Sequence, residues 1–268
     1  MIAVELRKLV TRPRTWITIA LIDSLPTLVA VLLALTDIGP RPGTGPAFLS
    51  AVLSDGTLFP LAALAMVLPL FLPVAVALTA GDAIAGEAQS GTLRYLLVRP
   101  VGRARLLLAK LVSVVAFVLI TVVVVAVTAY VVGALLLGDA PLSSSVSGTA
   151  LTQEELAWRT VLALGYAVLA MLGVASIALF FSTVTDSAQG AAMGALAFLI
   201  ASTLLLTLDA SQALQPYLPT RYWLAFVDLF RDPIHWRDVL RGVLQQVVYV
   251  VVFLGAAWAN FSTRDITS

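Results

Sequence analysis

The polar residues of this chain limit the chemistry that it can perform. The only two lysines are Lys8 and Lys110, and neither follows a glycine or precedes a serine or threonine. The sequence therefore holds no P-loop, which is a glycine-rich turn ending in Lys-Ser or Lys-Thr. His235 is the only histidine and cysteine is absent, which argues against a zinc site and against disulfides. Because a G-x-S-x-G elbow is also missing, we expect no enzyme, no metal site and no cofactor in this chain.

One acidic residue interrupts an otherwise apolar run. Asp23 falls about seven residues into the segment from Trp16 to Thr36, roughly 10 Å along a helix. Ionisable residues at membrane depth often mark transport routes. Lys110, near the start of another apolar run, is the partner that the sequence offers. Two interpretations stay open: a translocation path or coupling ion pair, and a structural contact that locks two helices together.

The segments that carry these residues are long and apolar. The chain has 268 residues, of which 60% are hydrophobic and 12% charged, and its mean hydropathy is +1.00. Continuous apolar runs longer than about 18 residues indicate transmembrane helices, whereas barrel strands would alternate. We predict an all-α integral membrane protein with one transmembrane domain over residues 1–268. Its six spans are expected at 16–36, 58–80, 106–137, 159–181, 188–208 and 241–260, the second kinked by Pro60, Pro69 and Pro73.

Basic residues predict the orientation. They concentrate before the first span and between the second and third, whereas the first-to-second loop, 37–57, contains only Arg41. Both chain ends and the second-to-third connection are therefore expected on the cytoplasmic side. Residues 1–14 place Ile2, Leu6, Leu9 and Val10 on one helical stripe, with Glu5 and the basic residues mostly elsewhere. This pattern predicts a short interfacial helix that ends at Pro13, the alternative being a disordered basic tail.

The other side is expected to carry residues 209–240. Within this stretch PYLPTRYWLAFVDLFRDPIHW is rich in aromatic residues, which is typical of an amphipathic segment on the outer interface. A substrate-binding aromatic surface is the alternative, and the arginines of this loop leave room for a seventh or re-entrant segment. Gln245 and Gln246 either line a polar cavity or bond between helices. Gly190 and Gly194 form a GxxxG pattern, which serves packing within the chain or between subunits.

The stretch GDAIAGEAQSGTLRYLLVRPVGR, residues 81–103, separates the second and third spans. Ser90-Gly91 divides it into two predicted short helices, Asp82 to Gln89 and Thr92 to Arg99, and Pro100 ends the second. Such an elbow is shaped to form a small knob on the cytoplasmic side. The simpler interpretation is an ordinary basic loop made helical by its leucines.

The run Glu87-x-x-x-Gly91-Thr92-Leu93 … Leu96-Leu97-x-x-Pro100-Val101-x-Arg103 … Lys110 resembles the signature of ABC-2 type transporter permeases. The small six-span group that includes the NatB and NosY proteins is the most similar. The layout agrees over nearly the whole chain: a basic amphipathic N-terminal helix, six spans, an elbow between spans two and three, and an end of the form Phe261-x-x-Arg264-Asp265-Ile266.

This resemblance implies an ABC-2, type V exporter-like fold and the permease subunit of an exporter in the bacterial plasma membrane. ATP and Mg²⁺ would be bound by a separate ATPase subunit, expected in two copies, and a second permease subunit would complete a homo- or heterodimer among membrane lipids. Residues 81–103 would contain the cytoplasmic coupling helix. By resemblance, the residues that contact or support the ATPase are Asp82, Glu87, Gly91 and Thr92, followed by Arg94, Arg99 and Arg103, which lipid phosphates could equally bind.

Two other functions stay open. A secondary transporter would use Asp23 as a proton or cation relay, although such folds usually contain internal repeats and none is evident here. A membrane assembly factor would have no transport cycle. Nothing in the sequence indicates nucleic-acid binding, and the polar residues of the spans do not select a substrate.

Overall fold

The chain forms a bundle of long helices. The computed structural model describes residues 2–36, 56–91, 102–137 and 151–263. Within these ranges eight α-helices are present: α1 Ile2–Thr11, α2 Pro13–Leu35, α3 Phe59–Val67, α4 Phe71–Gln89, α5 Arg103–Leu136, α6 Gln153–Val184, α7 Ala188–Thr207 and α8 Trp236–Thr263. Six of them, α2 and α4 to α8, are long and apolar enough to cross a membrane. The chain is thus an all-helical, multi-pass membrane protein in its described part, as predicted.

The second predicted span is interrupted rather than simply kinked. A 3₁₀ turn at Gly56–Leu58 leads into α3, and the helix breaks at residues 68–70, where Pro69 lies. Proline cannot donate a backbone hydrogen bond and clashes with the preceding turn, which accounts for the break. Pro60 and Pro73 lie in the first turns of α3 and α4, where proline is tolerated.

The predicted separate helix Asp82 to Gln89 is wrong, because α4 continues without a break to Gln89. The Ser182 hydroxyl of α6 lies against α4 at this point. It donates to the Gly81 carbonyl at 2.7 Å and accepts from the Ile84 and Ala85 amides at 3.1 and 2.9 Å. A side chain placed in the hydrogen-bond ladder of a helix is a known cause of local bending. Residue 81, where the sequence predicted a helix boundary, is thus the point at which the continuous helix α4 contacts α6.

Helix α6 lies at the centre of the bundle, and α4, α5, α7 and α8 all pack against it. It has the largest buried share of the six long helices, and its buried side chains are mostly small, including Ala167, Ala170, Ala175 and Ala178. Small residues let membrane helices approach closely, so that packing replaces the hydrophobic effect that lipid cannot supply. The outward faces of the helices carry exposed leucine and valine, as expected for surfaces in contact with lipid.

Helices α4 and α7 approach each other closely at Gly81. A Cβ atom at Gly81 would lie 2.9 Å from the Ala192 amide nitrogen and 3.1 Å from its Cα. The predicted Gly190 and Gly194 pair does not make this contact. Gly190 is exposed beside its own helix cap, and a Cβ at Gly194 would meet the Phe181 ring. The buried residues of α7 are instead Ala191, Ala192, Ala195, Leu199 and Ser202.

Residues 208–235 fold back onto the bundle at the end opposite α1. They form 3₁₀ turns and bends, so this stretch contains no seventh membrane-spanning helix. Trp223, Phe226 and Phe230 are 5%, 0% and 1% exposed and pack into the main core, whereas Tyr217 and Trp236 are exposed. The prediction of a segment resting on the interface is therefore wrong for the central aromatics. They bury apolar surface against α6 and α8.

Side chains of the long helices satisfy the backbone of this folded segment. Gln245 donates to the carbonyls of Pro216 and Leu218, Gln246 to that of Pro219 at 2.8 Å, and Tyr249 to that of Tyr217 at 2.9 Å. Non-helical backbone among membrane helices is tolerated only where protein or water supplies its hydrogen bonds. The two glutamines therefore bond neither across a cavity nor helix to helix, but to this loop.

Replacing Gly81 with alanine tests the α4–α7 contact. The new Cβ would meet backbone atoms of Ala192, which cannot rotate away as a flexible side chain can. We expect a loss of about 1–3 kcal/mol, as for an overpacked core, seen as a lower thermal unfolding midpoint in detergent.

Gly165→Ala is the matched control. Gly165 lies in α6 with no atom within 4 Å of the position of a Cβ. Because alanine is the better helix former by about 1 kcal/mol, this change should leave the midpoint unaltered or raise it. Equal losses of thermal stability in the two variants would show that the close approach at Gly81 is not the cause of the destabilisation.

Candidate functional site

Helix α1 brings charged side chains against α5. Leu9 is its one buried residue, and Glu5 lies on the same face as Leu9, four residues before it. Lys8 lies three residues after Glu5 and pairs with it. Ile2 and Val10 of the predicted apolar stripe are 41% and 49% exposed. The predicted helix is therefore confirmed, but the face that it presents to the protein is centred on Glu5 and Leu9.

Lys110 of α5 is the centre of an ion cluster. Its ammonium group donates to Glu5 Oε2 at 3.1 Å and to Glu87 Oε1 of α4. Lys8 lies 3.4 Å from Glu5 Oε1 and 3.7 Å from Glu87 Oε1. Two ammonium groups and two carboxylates thus alternate, and they join α1, α4 and α5 at one point. We call Glu5, Lys8, Glu87 and Lys110 the four-charge cluster.

Burial decides which contacts of this cluster matter. The Lys110 side chain is 6% exposed, and those of Glu5 and Glu87 are 12% and 15% exposed, whereas Lys8 is 41% exposed. An ion pair with a solvent-exposed lysine, such as Lys8 with Glu5, contributes about 0–1 kcal/mol. Removing one partner of a buried pair costs about 3–5 kcal/mol, because an uncompensated charge remains inside. Lys110 is therefore the member on which the junction depends.

Two further contacts extend this end of the bundle. Arg103, in the first turn of α5, donates to the carbonyls of Phe261 and Ser262 at 3.0 and 2.9 Å. These carbonyls belong to the last turn of α8, where they have no partner within the helix. Arg14 of α2 lies 3.9 Å from Asp82 of α4, and this pair is largely exposed and correspondingly weak. The first and last long helices thus reach the same end of the bundle.

The structure describes only some of the residues predicted as ATPase contacts. Gly91 follows the end of α4 and has a φ of 68°, a conformation that favours glycine, so α4 ends where the first of the two short helices was predicted to end. The second predicted helix lies outside the described residues. Thr92, Arg94 and Arg99 lie outside the described residues. Asp82, Glu87 and Arg103 all make contacts within the chain, as given above.

A cavity of about 710 Å³ lies beside the four-charge cluster. Helices α1, α2, α4 and α5 supply its walls. Its volume is in the range of small-molecule sites, about 300–1,000 Å³. Its lining combines charged groups, the hydroxyl residues Thr15, Thr18, Thr79 and Ser113, and the apolar residues Leu78, Val114 and Phe117.

Asp23 does not pair with Lys110, so the predicted ion pair is wrong. Asp23 accepts a hydrogen bond from the Thr128 hydroxyl of α5, and Thr128 also bonds to the Val124 carbonyl of its own helix. Thr128 and Lys110 are 18 residues apart, about 27 Å along α5, which no side chain can bridge. The contact nevertheless joins the first and third predicted spans, as the structural interpretation required.

Sequence reasoning missed Glu5 as a partner for Lys110. The amphipathic pattern assigned Glu5 to a polar face, because a pattern treats every charged residue as directed towards solvent. A usable signal was present in LLLAKLVSVV: a lysine within an apolar run needs a nearby carboxylate, and Glu5 and Glu87 both precede or follow spans on the same side. Arg159, 4% exposed and bonded to the carbonyls of Leu229 and Arg231, was missed for the same reason.

Comparison with known proteins adds one family. A family model described as "Protein of unknown function (DUF2705)" matches residues 28–267, which is most of the chain and includes all of α3 to α8. No curated protein matches the chain.

Lys110→Met tests whether the cluster holds α1 in place. It leaves the Glu5 and Glu87 carboxylates with only the more exposed Lys8 as a cationic partner, which should cost about 3 kcal/mol and release α1 from α5. The chain has no cysteine, so a single Leu9→Cys change reports the buried face of α1 without background. We expect maleimide to label this cysteine at least about tenfold faster in the Lys110→Met background.

Arg105→Met is the matched control, since Arg105 is exposed and lies in the same part of α5. Its labelling rate should equal that of the parent chain. Adding Glu5→Gln and Glu87→Gln to Lys110→Met should slow labelling again, because the buried like charges are removed. Identical rates in the Lys110→Met and Arg105→Met backgrounds would mean that α1 is held by something else.

Proposed function

The chain belongs to the DUF2705 family, and from this premise and the geometry of its charged end we propose that it is the membrane-spanning subunit of an ATP-binding cassette exporter. In this proposal ATP is hydrolysed by a separate subunit. The exporter lies in the bacterial plasma membrane with α1 on the cytoplasmic side. The chain itself is no enzyme and carries no nucleotide.

The observation that carries this proposal is the pairing of Glu87 with Lys110. These residues are the first and last of the run whose resemblance to ABC-2 permeases was noted above, and they lie on α4 and α5 on either side of residues 90–102. Their ion pair closes the connection between the two helices. A displacement imposed by another subunit would move both helices together, because the ion pair keeps α4 and α5 from separating.

The contacts give a route for such a displacement. Movement of residues 90–102 acts directly on α4 and α5, and through Glu5 and Lys8 it acts on α1. Arg103 joins the same point to the last turn of α8, and Ser182 joins α4 to the central helix α6. Each link is a short polar contact between helices that otherwise meet through apolar packing. This arrangement supports a bundle whose helices respond together to one cytoplasmic contact.

The roles of the expected ATPase residues are refined accordingly. Asp82 and Glu87 are directed towards other helices of this chain, so we assign them to supporting the connection. Arg103 positions the end of α8. The residues left to contact the ATPase are Gly91, Thr92, Arg94 and Arg99. Two ATPase subunits and a second permease subunit, identical or different, complete the proposed assembly.

A photo-crosslinking amino acid at position 94 tests the proposed contact in the full-length chain. We expect native-host membranes to give a crosslinked product whose partner contains a G-x-x-x-x-G-K-[ST] loop, and the purified complex to hydrolyse ATP. Arg94→Glu should lower this ATPase activity about tenfold by reversing a charge at the interface.

Position 237 is the matched control for both parts of this experiment. Arg237 is exposed and lies in the first turn of α8, at the end of the bundle opposite α1. The same crosslinker at 237 should capture no P-loop protein, and Arg237→Glu should leave ATPase activity unchanged. If no P-loop protein copurifies with the wild-type chain, the exporter proposal fails.

Asp23→Asn separates this proposal from a secondary transporter. Asparagine still accepts the Thr128 hydrogen bond but cannot carry a proton, so a structural contact should tolerate the change. We expect the complex to keep its ATPase activity, whereas Asp23→Leu should lose about 1 kcal/mol of stability, as for other hydrogen bonds between membrane helices. Proton flux in wild-type proteoliposomes without ATP, abolished by Asp23→Asn, would instead identify an ion-coupled transporter.

A further inference from the structure

The cavity beside the four-charge cluster changes in polarity along its length. On α4 the lining runs from Glu87 and Asp82 to Leu78 and Ala75, about 18 Å along the helix. On α5 it runs in the same direction, from Lys110 to Phe117. One end of the cavity is therefore charged and the other apolar. Such a gradient fits a molecule that has a charged head and an apolar tail.

The charges of the lining do not cancel. Lys8, Arg12, Arg14 and Lys110 contribute four positive charges, against three negative charges from Glu5, Asp82 and Glu87, which leaves one positive charge in excess. The two lysines are held by the two glutamates. Within the described residues Arg12 makes no ion pair, and Arg14 has only its 3.9 Å contact with Asp82. The cationic groups available to a ligand are thus two guanidinium groups, which suit phosphate or carboxylate.

The cavity meets the surface of the described bundle in the gap between α2 and α4. Both α2 and α4 pack against α5, but they make few contacts with each other. The gap between them carries the exposed side chains of Arg14 and Leu78, whose fractional exposures are 70% and 40%. Both walls are helices long and apolar enough to cross a membrane. A ligand can therefore enter sideways from the bilayer.

We propose that this cavity binds an anionic amphiphile, with Arg12 and Arg14 against its phosphate or carboxylate and the exposed Leu78 against its acyl chain, the buried Val114 and Phe117 closing the apolar end. The hydroxyls of Thr15 and Ser113 lie in the same lining and make no hydrogen bond with the described part of the chain, so they are available to the head group. The inference does not rest on the proposed exporter function. It assigns a ligand class to the chain whatever energises it.

Native mass spectrometry of the delipidated full-length chain in neutral detergent tests this site. The probes are phosphatidylglycerol, phosphatidylcholine, glycerol 3-phosphate and inorganic phosphate. We expect one phosphatidylglycerol per chain, bound at least about tenfold more tightly than phosphatidylcholine, since charge-assisted contacts to a phosphate differ by this order. The two soluble anions should not compete, because they offer nothing to the apolar end.

Two variants probe the two ends of the cavity. Arg12→Gln with Arg14→Gln should weaken phosphatidylglycerol about tenfold and remove the preference over phosphatidylcholine. Its matched control is Arg7→Gln with Arg105→Gln, two exposed arginines that do not line the cavity. Leu78→Trp should fill the apolar end and weaken both lipids. Leu119→Trp, at a similarly exposed leucine on α5 outside the lining, should not.

The outcomes separate the proposal from its rivals. Equal weakening by the two arginine pairs would mean general attraction of anionic lipid to a basic surface and would overturn the site. Competition by inorganic phosphate as strong as that by phosphatidylglycerol would mean an anion site without a tail, which also overturns it. If the Arg12 and Arg14 variant does not fold, the Leu78 and Leu119 comparison decides alone.

Discussion

Polar groups that lie among apolar helices have to find their partners within the chain, because lipid offers none. Lys110 shows the consequence most clearly. Its ammonium group can be buried only if carboxylates come to it, and they come from two other helices, through Glu5 and Glu87. The Ser182 hydroxyl meets the backbone of α4 and the Gln246 amide meets the folded segment at the opposite end by the same rule. Each buried polar group thus fixes a meeting point of helices that apolar packing alone would leave free to slide.

This constraint also divides the structure into firmly and loosely held parts. The four-charge cluster holds α1 mainly by charge, since Leu9 is the only buried residue of that helix. By contrast, α6 is held on all sides by packing against four helices. Segments with few buried apolar contacts open at lower free energy than core helices. Helix α1 can therefore move while the bundle stays folded, and the α4–α5 connection, which shares Lys110 with it, is sensitive to that movement.

Sequence reasoning predicted what depends on composition and failed where tertiary contacts decide. Six apolar runs predict six long helices because bilayer thickness sets their length, and Pro69 marks a break because proline lacks an amide hydrogen. The extent of α4 was missed, since Asp82 resembles a helix start and only the distant Ser182 explains why the helix continues through it. Phe226 and Phe230 were placed at the interface, because aromatic density alone does not distinguish a surface belt from a buried plug. The partner of Lys110 likewise depends on how the helices pack, and residue spacing alone did not identify it.

The pair Glu87–Lys110 links the two proposals, because it forms one boundary of the cavity as well as closing the α4–α5 connection. A ligand head group beside Arg14 would compete with Asp82 for the Arg14 guanidinium group. Asp82 lies about one and a half helical turns from Glu87 on α4. Occupancy of the cavity and the position of the connection would then be coupled in both directions, since coupling between two sites is reciprocal. An anionic amphiphile that prefers α4 and α5 held together by Glu87 and Lys110 would bind more tightly when another subunit fixes the connection between these helices. The geometry thus places a lipid-sized site within reach of the element on which an energising partner would act.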